Sequence, residues 1–252
     1  MSGRTGNGGG ELGGPPAERR RWVRDAFHSI ADRYDLLNTL LSGGIHILWK
    51  RAAIRAAGLR SGQRGLDVCC GTGDLVVRMA EVVGPEGRAI GLDFAAGMLD
   101  VARRRAARRV RSGVALVCGD AEAIPIGDRS VHAVTIAFGL RNVADPPRAL
   151  REFRRVLRPG GRLVILEFGR PRSRLVRGLY DLYSRAIVPR LGGWLSGRRD
   201  AYQYLHDSIR AWPDPEVLSR LIGEAGFGSV HYRLLTGGIA VLHTAGDELF
   251  AP

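Results

Sequence analysis

The residues with the most chemical meaning lie in one run, Gly65-Leu66-Asp67-Val68-Cys69-Cys70-Gly71-Thr72-Gly73-Asp74-Leu75, an apolar stretch that feeds a glycine turn and then a helix. Glycines let a backbone approach a ligand closely, and a helix N-terminus presents unpaired N–H groups to a carboxylate. Asp93 ends a second apolar stretch, Ala89-Ile90-Gly91-Leu92-Asp93, about 20 residues past the turn, where a carboxylate accepts a ribose hydroxyl. The pair fits a cofactor that contains adenosine. It leaves a nicotinamide dinucleotide and S-adenosylmethionine both open, and a bare strand-to-helix turn with a capping Asp would produce a similar pattern.

Three further features favour the sulfonium cofactor. Val76 stands where a dinucleotide site has its third glycine, Gly119-Asp120-Ala121 follows a third apolar stretch, and Leu157-Arg158-Pro159-Gly160-Gly161 precedes a fifth. Together these resemble the motifs of class I S-adenosylmethionine-dependent methyltransferases. That resemblance implies Asp120 against the adenine amino group and a turn at 159–161 that closes the sheet face.

The elements that must position these residues alternate. Short apolar runs at 66–70, 89–92, 114–118, 131–138 and 162–168 are separated by helical or loop segments, among them helices from Leu75 to Val83 and from Pro147 to Leu157. Such alternation predicts a parallel sheet covered on both faces. Apolar residues at helical spacing from Arg19 to Gly58, broken at Ser42-Gly43-Gly44, predict helices before the first strand. An arginine- and aromatic-rich stretch at about 170–212 reads as a cap over the site. A helix near Val217 to Ala225 then precedes two strands, 229–235 and 239–244, joined by Thr236-Gly237-Gly238 as a tight hairpin. The expected architecture is a class I Rossmann-like α/β fold: seven strands, mostly parallel, with a C-terminal antiparallel hairpin and a helical cap. Residues 19–246 form one domain, and the Gly- and Pro-rich residues 1–18 read as a disordered tail.

Composition bounds the rest. With 252 residues, 45% of them hydrophobic and 25% charged, the chain is large enough to bury a full core. No uninterrupted apolar run reaches the ~18 residues of a membrane span, and the first residues lack the apolar segment of a secretory signal. The expected compartment is therefore the cytoplasm. Cys69, Cys70 and Cys118 make an odd set with two neighbours, so they read as small buried reduced thiols rather than a disulfide framework. No His or Cys cluster has metal-ligand spacing, so no metal is expected. The formal net charge of +13 rests almost wholly on arginine, since Lys50 is the only lysine. It fits solvated faces, contact with an anionic membrane surface, or a nucleic-acid partner. No recognition motif supports the last, which predicts salt-sensitive retention of RNA or DNA.

A narrower resemblance rests on Phe27-His28-Ser29-Ile30-Ala31-Asp32-Arg33-Tyr34-Asp35-Leu36-Leu37-Asn38, Gly44-Ile45-His46-Ile47-Leu48-Trp49-Lys50-Arg51 and Phe138-Gly139-Leu140-Arg141-Asn142-Val143. It continues through Asp200-Ala201-Tyr202-Gln203-Tyr204-Leu205, Ser208-Ile209-Arg210 and Ala225-Gly226-Phe227. The chain resembles the quinone-ring C-methyltransferases, the menaquinone and ubiquinone methylases, from about residue 24 to about 244. That implies methylation of a ring carbon of a polyprenylated quinol. The implied cofactor contacts are Thr72, Asp93, Asp120 and Ala121, joined in the candidate set by Asp67, Gly71, Gly73 and Ala137. Two positions depart from the family pattern: Ala137 replaces a serine frequent in ubiquinone-type relatives, and His132 replaces a common aspartate. The Cys69-Cys70 pair is similar to menaquinone-type members, which favours demethylmenaquinol over a benzoquinol.

Methyl transfer is an in-line displacement, so alignment and exclusion of water lower its barrier and the protein need not supply a nucleophile. A quinol ring carbon becomes nucleophilic when the neighbouring hydroxyl loses its proton, which calls for a base, a bound water or a phenolate-stabilising group. Arg141, Asn142 and Tyr202 are the favoured residues, with Tyr204 and His206 also on the cap; His28 and His46 read as structural. Arginines 170, 172, 174 and 177 are placed to meet lipid phosphates while the cap and N-terminal helices line a groove for the isoprenoid tail. A homo-oligomer is compatible with the sequence. Other lipophilic acceptors, a sterol or a polyketide phenol, would share the cofactor half.

Overall fold

The structure is a computed structural model that describes residues 34–110, 113–171, 173, 204 and 207–247. The expected tail at 1–18, Tyr202, His206 and most of the expected cap lie outside the described residues. Two helices come first, α1 (Tyr34–Ser42) and α2 (Ile45–Ala57), and the chain then alternates through β1 (Arg64–Val68), α3 (Asp74–Val83), β2 (Arg88–Asp93), α4 (Ala96–Arg109), β3 (Val114–Cys118), β4 (Val131–Ala137), α5 (Pro146–Val156) and β5 (Leu157–Phe168). Further along the described residues come α6 (Pro215–Glu224), β6 (Ser229–Leu235) and β7 (Ala240–Gly246).

The seven strands form one sheet in the order β3-β2-β1-β4-β5-β7-β6. The first five pair in parallel, and β7 runs antiparallel to both β5 and β6. Strand order reverses between β1 and β4, which opens a crevice at their carboxyl ends where ligands of such sheets bind. The glycine turn after β1 and the Phe138–Asn142 segment after β4 both emerge there.

Two apolar layers hold the sheet. On one face Leu66, Val68, Val134, Ile136 and Ile165 pack with Leu150 and Phe153 of α5 and Leu218 and Ile222 of α6. On the other, Ala89, Ala133, Val164 and Leu166 pack with Trp49 and Ala53 of α2 and Val76 and Met79 of α3. Helix starts are locally encoded. Asp145 accepts the Arg148 N–H at 3.0 Å ahead of two prolines at the start of α5, which satisfies a donor that the first turn otherwise leaves open.

Several boundaries differ from the sequence expectation. Strand β1 stops at Val68 because Cys69 adopts φ 53°, and β4 stops at Ala137 because Phe138 adopts φ 58°; a left-handed residue cannot continue a strand. Leu157 is not the end of a helix: it pairs with Val131, after which the register slips so that Arg162 faces Ala133. The Pro159-Gly160-Gly161 turn is therefore a bulge inside β5. The expected tight hairpin is a 3₁₀ turn at Thr236–Gly238, with Thr236 and Gly237 at φ 48° and 65°. Cys118 is exposed, not buried, because it ends the edge strand β3 where cover is thin. All three cysteines are free. His132 bridges exposed backbone and side chain, accepting from Arg64 N at 3.1 Å beside Arg158, so that departure serves the strand N-termini and not the crevice.

Candidate active site

The cofactor side begins where β1 must turn back into α3. Cys69, Gly71 and Gly73 all take left-handed φ, 53°, 53° and 79°. The two glycines are required for different reasons. A Cβ on Gly73 would sit 2.8 Å from the Cβ of Ala102 on α4, so the helix crossing demands glycine. A Cβ on Gly71 would meet nothing within 4 Å: it borders open space at the crevice.

Asp93, at the tip of β2, secures this loop. Its Oδ2 accepts the Gly71 N–H at 2.8 Å and its Oδ1 accepts the Ala95 N–H at 2.9 Å. Burial raises its pKa, opposed by the backbone N–H groups of Ala95, Gly71 and Phe94. A carboxylate offers about four acceptor directions, so two bonds leave capacity for a ribose hydroxyl. Gly119 N donates to Asp93 O at 3.1 Å, which places Asp120 and Ala121 next to this tip. Asp120 Oδ1 accepts from Glu122 N at 2.9 Å, and Ala121 is buried.

Two expected cofactor residues stand differently. Asp67 lies on β1 beneath the loop, 2% exposed, accepting from the Thr135 hydroxyl, and burial pushes its carboxyl up to about 7. Thr72 is buried, and its Oγ1 donates to Asp35 Oδ1 at 2.8 Å while accepting from Arg105 Nη1 at 3.2 Å. Arg105 Nη2 also pairs with Asp35 Oδ2. The hydroxyl thus ties the loop to α1 and α4. Nearby, Lys50 bridges to Asp74 at 3.2 Å. Burial acts to raise the Asp74 carboxyl, but Lys50, Arg78 and Arg105 hold it below the usual range. His46, whose pKa is lowered by burial and then by Lys50, shares a 2.7 Å hydrogen bond with Ser42, a structural role as expected. Burial also raises the Cys69 and Cys70 thiols, so neither is an activated nucleophile.

The acceptor side is built by the turn after β4. Gly139 abuts the cofactor loop, since a Cβ there would lie 2.5 Å from the Cβ of Cys69. A 3₁₀ turn over Leu140–Asn142 follows. Arg141 is buried against Glu167 at the end of β5, Nη1 to Oε2 2.9 Å, with its guanidinium carbon 5.2 Å from the Phe168 ring centre. Asn142 Oδ1 accepts from the Tyr204 hydroxyl at 3.3 Å. Phe138 and Phe168 stack with ring centres 4.6 Å apart, and Trp49 joins them at 6.2 and 6.5 Å. Arg141, Asn142 and Tyr204 therefore gather beside an aromatic wall, next to the glycine turn. Ala137, half-buried at the end of β4, leads into this wall and carries no hydroxyl.

The sequence reading missed Asp35, Arg105 and Glu167 as site neighbours. Glu167 had a usable signal, a carboxylate inside the apolar run Leu163-Val164-Ile165-Leu166-Glu167-Phe168, because a buried charge needs a partner. Lys50 was equally visible as the lone lysine of an arginine-rich chain. Asp35 and Arg105 carried no such mark.

This sheet order and crevice are those of the class I Rossmann-like fold found in S-adenosylmethionine-dependent methyltransferases. Solved structures of similar fold include such an enzyme from Thermotoga maritima, described as a possible histamine N-methyltransferase, with TM-score 0.60 and 21% identity over 88% of this chain and 98% of that one. Another is phosphoethanolamine N-methyltransferase 2 of Haemonchus contortus in complex with S-adenosyl-L-methionine, with TM-score 0.58 and 16% identity over 79% of this chain and 52% of that one. The model of the ubiE/COQ5 methyltransferase family matches residues 16–247, and the chain belongs to that family. Among curated relatives, the ubiquinone/menaquinone biosynthesis C-methyltransferase UbiE of Pseudomonas aeruginosa is 46% identical over 91% of this chain and 90% of its own length. The protein of the same name from Cellvibrio japonicus is 45% identical over 91% and 92%. The cofactor is S-adenosyl-L-methionine, and the open side of Gly71 beside the Asp93 carboxylate fits an adenosyl sulfonium.

Proposed function

We propose that this methyltransferase methylates a ring carbon of a polyprenylated quinol, with demethylmenaquinol as the acceptor that becomes menaquinol. The observation that carries the reading is the abutment of Gly139 on Cys69, which sets Arg141, Asn142 and the Phe138–Phe168 wall directly beside the cofactor loop. The names of the UbiE relatives support a quinone-pathway acceptor and cover both ubiquinone and menaquinone. The Cys69-Cys70 pair favours the naphthoquinol, and a benzoquinol is the second reading.

When bound, S-adenosylmethionine supplies an electrophilic methyl group. Asp93, with Gly71 and Gly73 shaping the loop, holds its ribose; Asp120 and Ala121 border the adenine; Thr72, Asp67 and Ala137 shape the surrounding wall. On the acceptor side the aromatic wall takes the flat ring and excludes water. Arg141, which as an arginine gives protons in hydrogen bonds but does not take them, stabilises the phenolate that makes the ring carbon nucleophilic. Asn142, with Tyr204 and Tyr202, orients the hydroxyl or its water. The ring carbon would gain the methyl as the methyl's bond to sulfur breaks and leaves its electron pair there, and the hydrogen that the carbon carried would leave as a proton to water, restoring the aromatic ring.

Because the tail of such a substrate is lipid-soluble, the enzyme works at the cytoplasmic membrane surface as a peripheral protein. No helix among the described residues is long and apolar enough to cross a membrane. The exposed Leu36, Leu40 and Leu48 of α1 and α2, and the net charge of +13, supply apolar and cationic contacts to anionic lipid. The test is incubation of the full chain with the methyl donor and either reduced demethylmenaquinone or the demethylated benzoquinol, read by mass spectrometry. A methyl on the naphthoquinol ring is expected. Methylation of the benzoquinol alone would transfer the assignment to the second reading, and a methyl on neither ring would sink both.

A further inference from the structure

The Arg141–Glu167 pair is bonded in an uneven way. Both side chains are nearly sealed, at 5% and 1% exposure. Glu167 accepts from Arg141 Nη1 at 2.9 Å through Oε2, from the Arg141 backbone N–H at 3.2 Å through Oε1, and from the Phe168 N–H at 3.2 Å. Nη1 also donates to the Phe138 carbonyl. The Nε–H of Arg141, by contrast, is buried without a hydrogen-bond partner among the described residues. One carboxylate thus grips both the backbone and the guanidinium of the same residue, while one edge of that guanidinium is left unsatisfied.

A buried ion pair is weak evidence of stability, since removing two charges from water offsets most of their attraction. An unpaired buried N–H is a further cost. The geometry suits a cation that must be aimed: Glu167 fixes the guanidinium over Phe168, on the turn that borders the cofactor loop.

We infer that Glu167 is a positioning residue for methyl transfer, locking Arg141 over Phe168 so that its guanidinium charge is held beside the developing phenolate oxygen of the acceptor or the water bound there. This rests on the role given above to Arg141 and extends it to a residue that does not itself touch substrate. The carboxylate acts on turnover and leaves binding of the methyl donor unchanged.

Steady-state kinetics and donor calorimetry on Glu167→Gln, Arg141→Ala and the double variant test this. Glu167→Gln and Arg141→Ala should each lower kcat by about a hundredfold, the scale of one lost donor to a developing oxyanion, with donor Kd within about twofold. The double variant should lose no more than Arg141→Ala, because the two act as a unit. Losses that multiply, or wild-type kcat in Glu167→Gln, overturn the inference. If Glu167→Gln does not fold, Arg141→Met with Glu167→Leu removes both buried charges and should restore the fold with the kcat of Arg141→Met; a kcat nearer wild type overturns it. Arginine side-chain nitrogen NMR gives a readout free of any acceptor. The Arg141 Nε–H signal, assigned by its loss in Arg141→Lys, should be protected from exchange in the wild type and not in Glu167→Gln. Equal protection in both overturns the inference, whereas failure of the wild type to methylate any quinol counts against the function proposed above.

Discussion

The Thr72 hydroxyl donates to Asp35 Oδ1 at 2.8 Å, joining the cofactor loop to the first turn of α1. Arg105 of α4 closes the group by bonding to both residues. Two segments far apart in the chain thus hold one loop residue in place. Asp35→Ala should free the loop and weaken donor affinity by about tenfold, the equivalent of one hydrogen bond of ~1.4 kcal/mol. Calorimetry with S-adenosylmethionine checks this, and Thr72→Val combined with Asp35→Ala should add little. An affinity equal to wild type in Asp35→Ala would show that the latch is irrelevant to the donor.

Asp93 has two duties, as the acceptor for Gly71 N–H and as the carboxylate proposed for ribose. Asp93→Ala removes both and should raise donor Kd by about thirtyfold or more. Asp93→Asn keeps an oxygen for Gly71 and should fall between. If Asp93→Ala binds the donor as tightly as wild type, the ribose role is wrong.

Gly71 and Gly73 should separate stability from binding. Gly73→Ala forces a Cβ to 2.8 Å from Ala102 at a left-handed φ, and should cost about 1–3 kcal/mol through overpacking, with ~1 kcal/mol more from the backbone. Gly71→Ala meets no neighbour, so its cost should stay near ~1 kcal/mol of backbone strain. Its methyl instead intrudes on the donor. Thermal unfolding should rank Gly73→Ala well below Gly71→Ala, while calorimetry should show donor binding impaired in Gly71→Ala despite its fold. Equal melting temperatures would contradict the packing argument.

Burial raises the Asp67 carboxyl to about 7, with Thr135 and Lys50 pulling it down and Asp74 and Asp93 pushing it up. In the unfolded chain the group titrates near ~3.9. Between those values the folded state holds a proton that the unfolded state has released. The stabilisation is therefore complete below about pH 4 and is lost as pH rises through about 7. Melting temperature should fall between about pH 4 and about pH 7, and Asp67→Asn, similar in volume but uncharged, should flatten that fall. The same slope in the variant would assign the pH response to other groups.

Much of the fold was legible because its signals are local. Apolar runs and helical spacing located all seven strands to within a few residues and the described helices apart from α4, which was left as a helical or loop segment between two strands. The errors fell where backbone conformation and not hydrophobicity sets the boundary: Cys69 and Phe138 end their strands by turning left-handed, and Leu157 joins a strand because Val131 is there to pair with it. Nothing in residue type announces either.

At the site, the sequence alone determined the glycine turn, the carboxylate about 20 residues beyond it and the Phe138–Val143 run, since each is a pattern of near neighbours. Only the tertiary structure decided their partners. Asp35 meets Arg105 across 70 positions and Thr72 across 37, and Arg141 meets Glu167 across 26. The Arg141–Glu167 pair closes because β4 and β5 are neighbours in the sheet, and strand order is a property of the assembled sheet. A buried charge announces that it needs a counterpart; which residue answers depends on what the folded layers bring within about 3 Å.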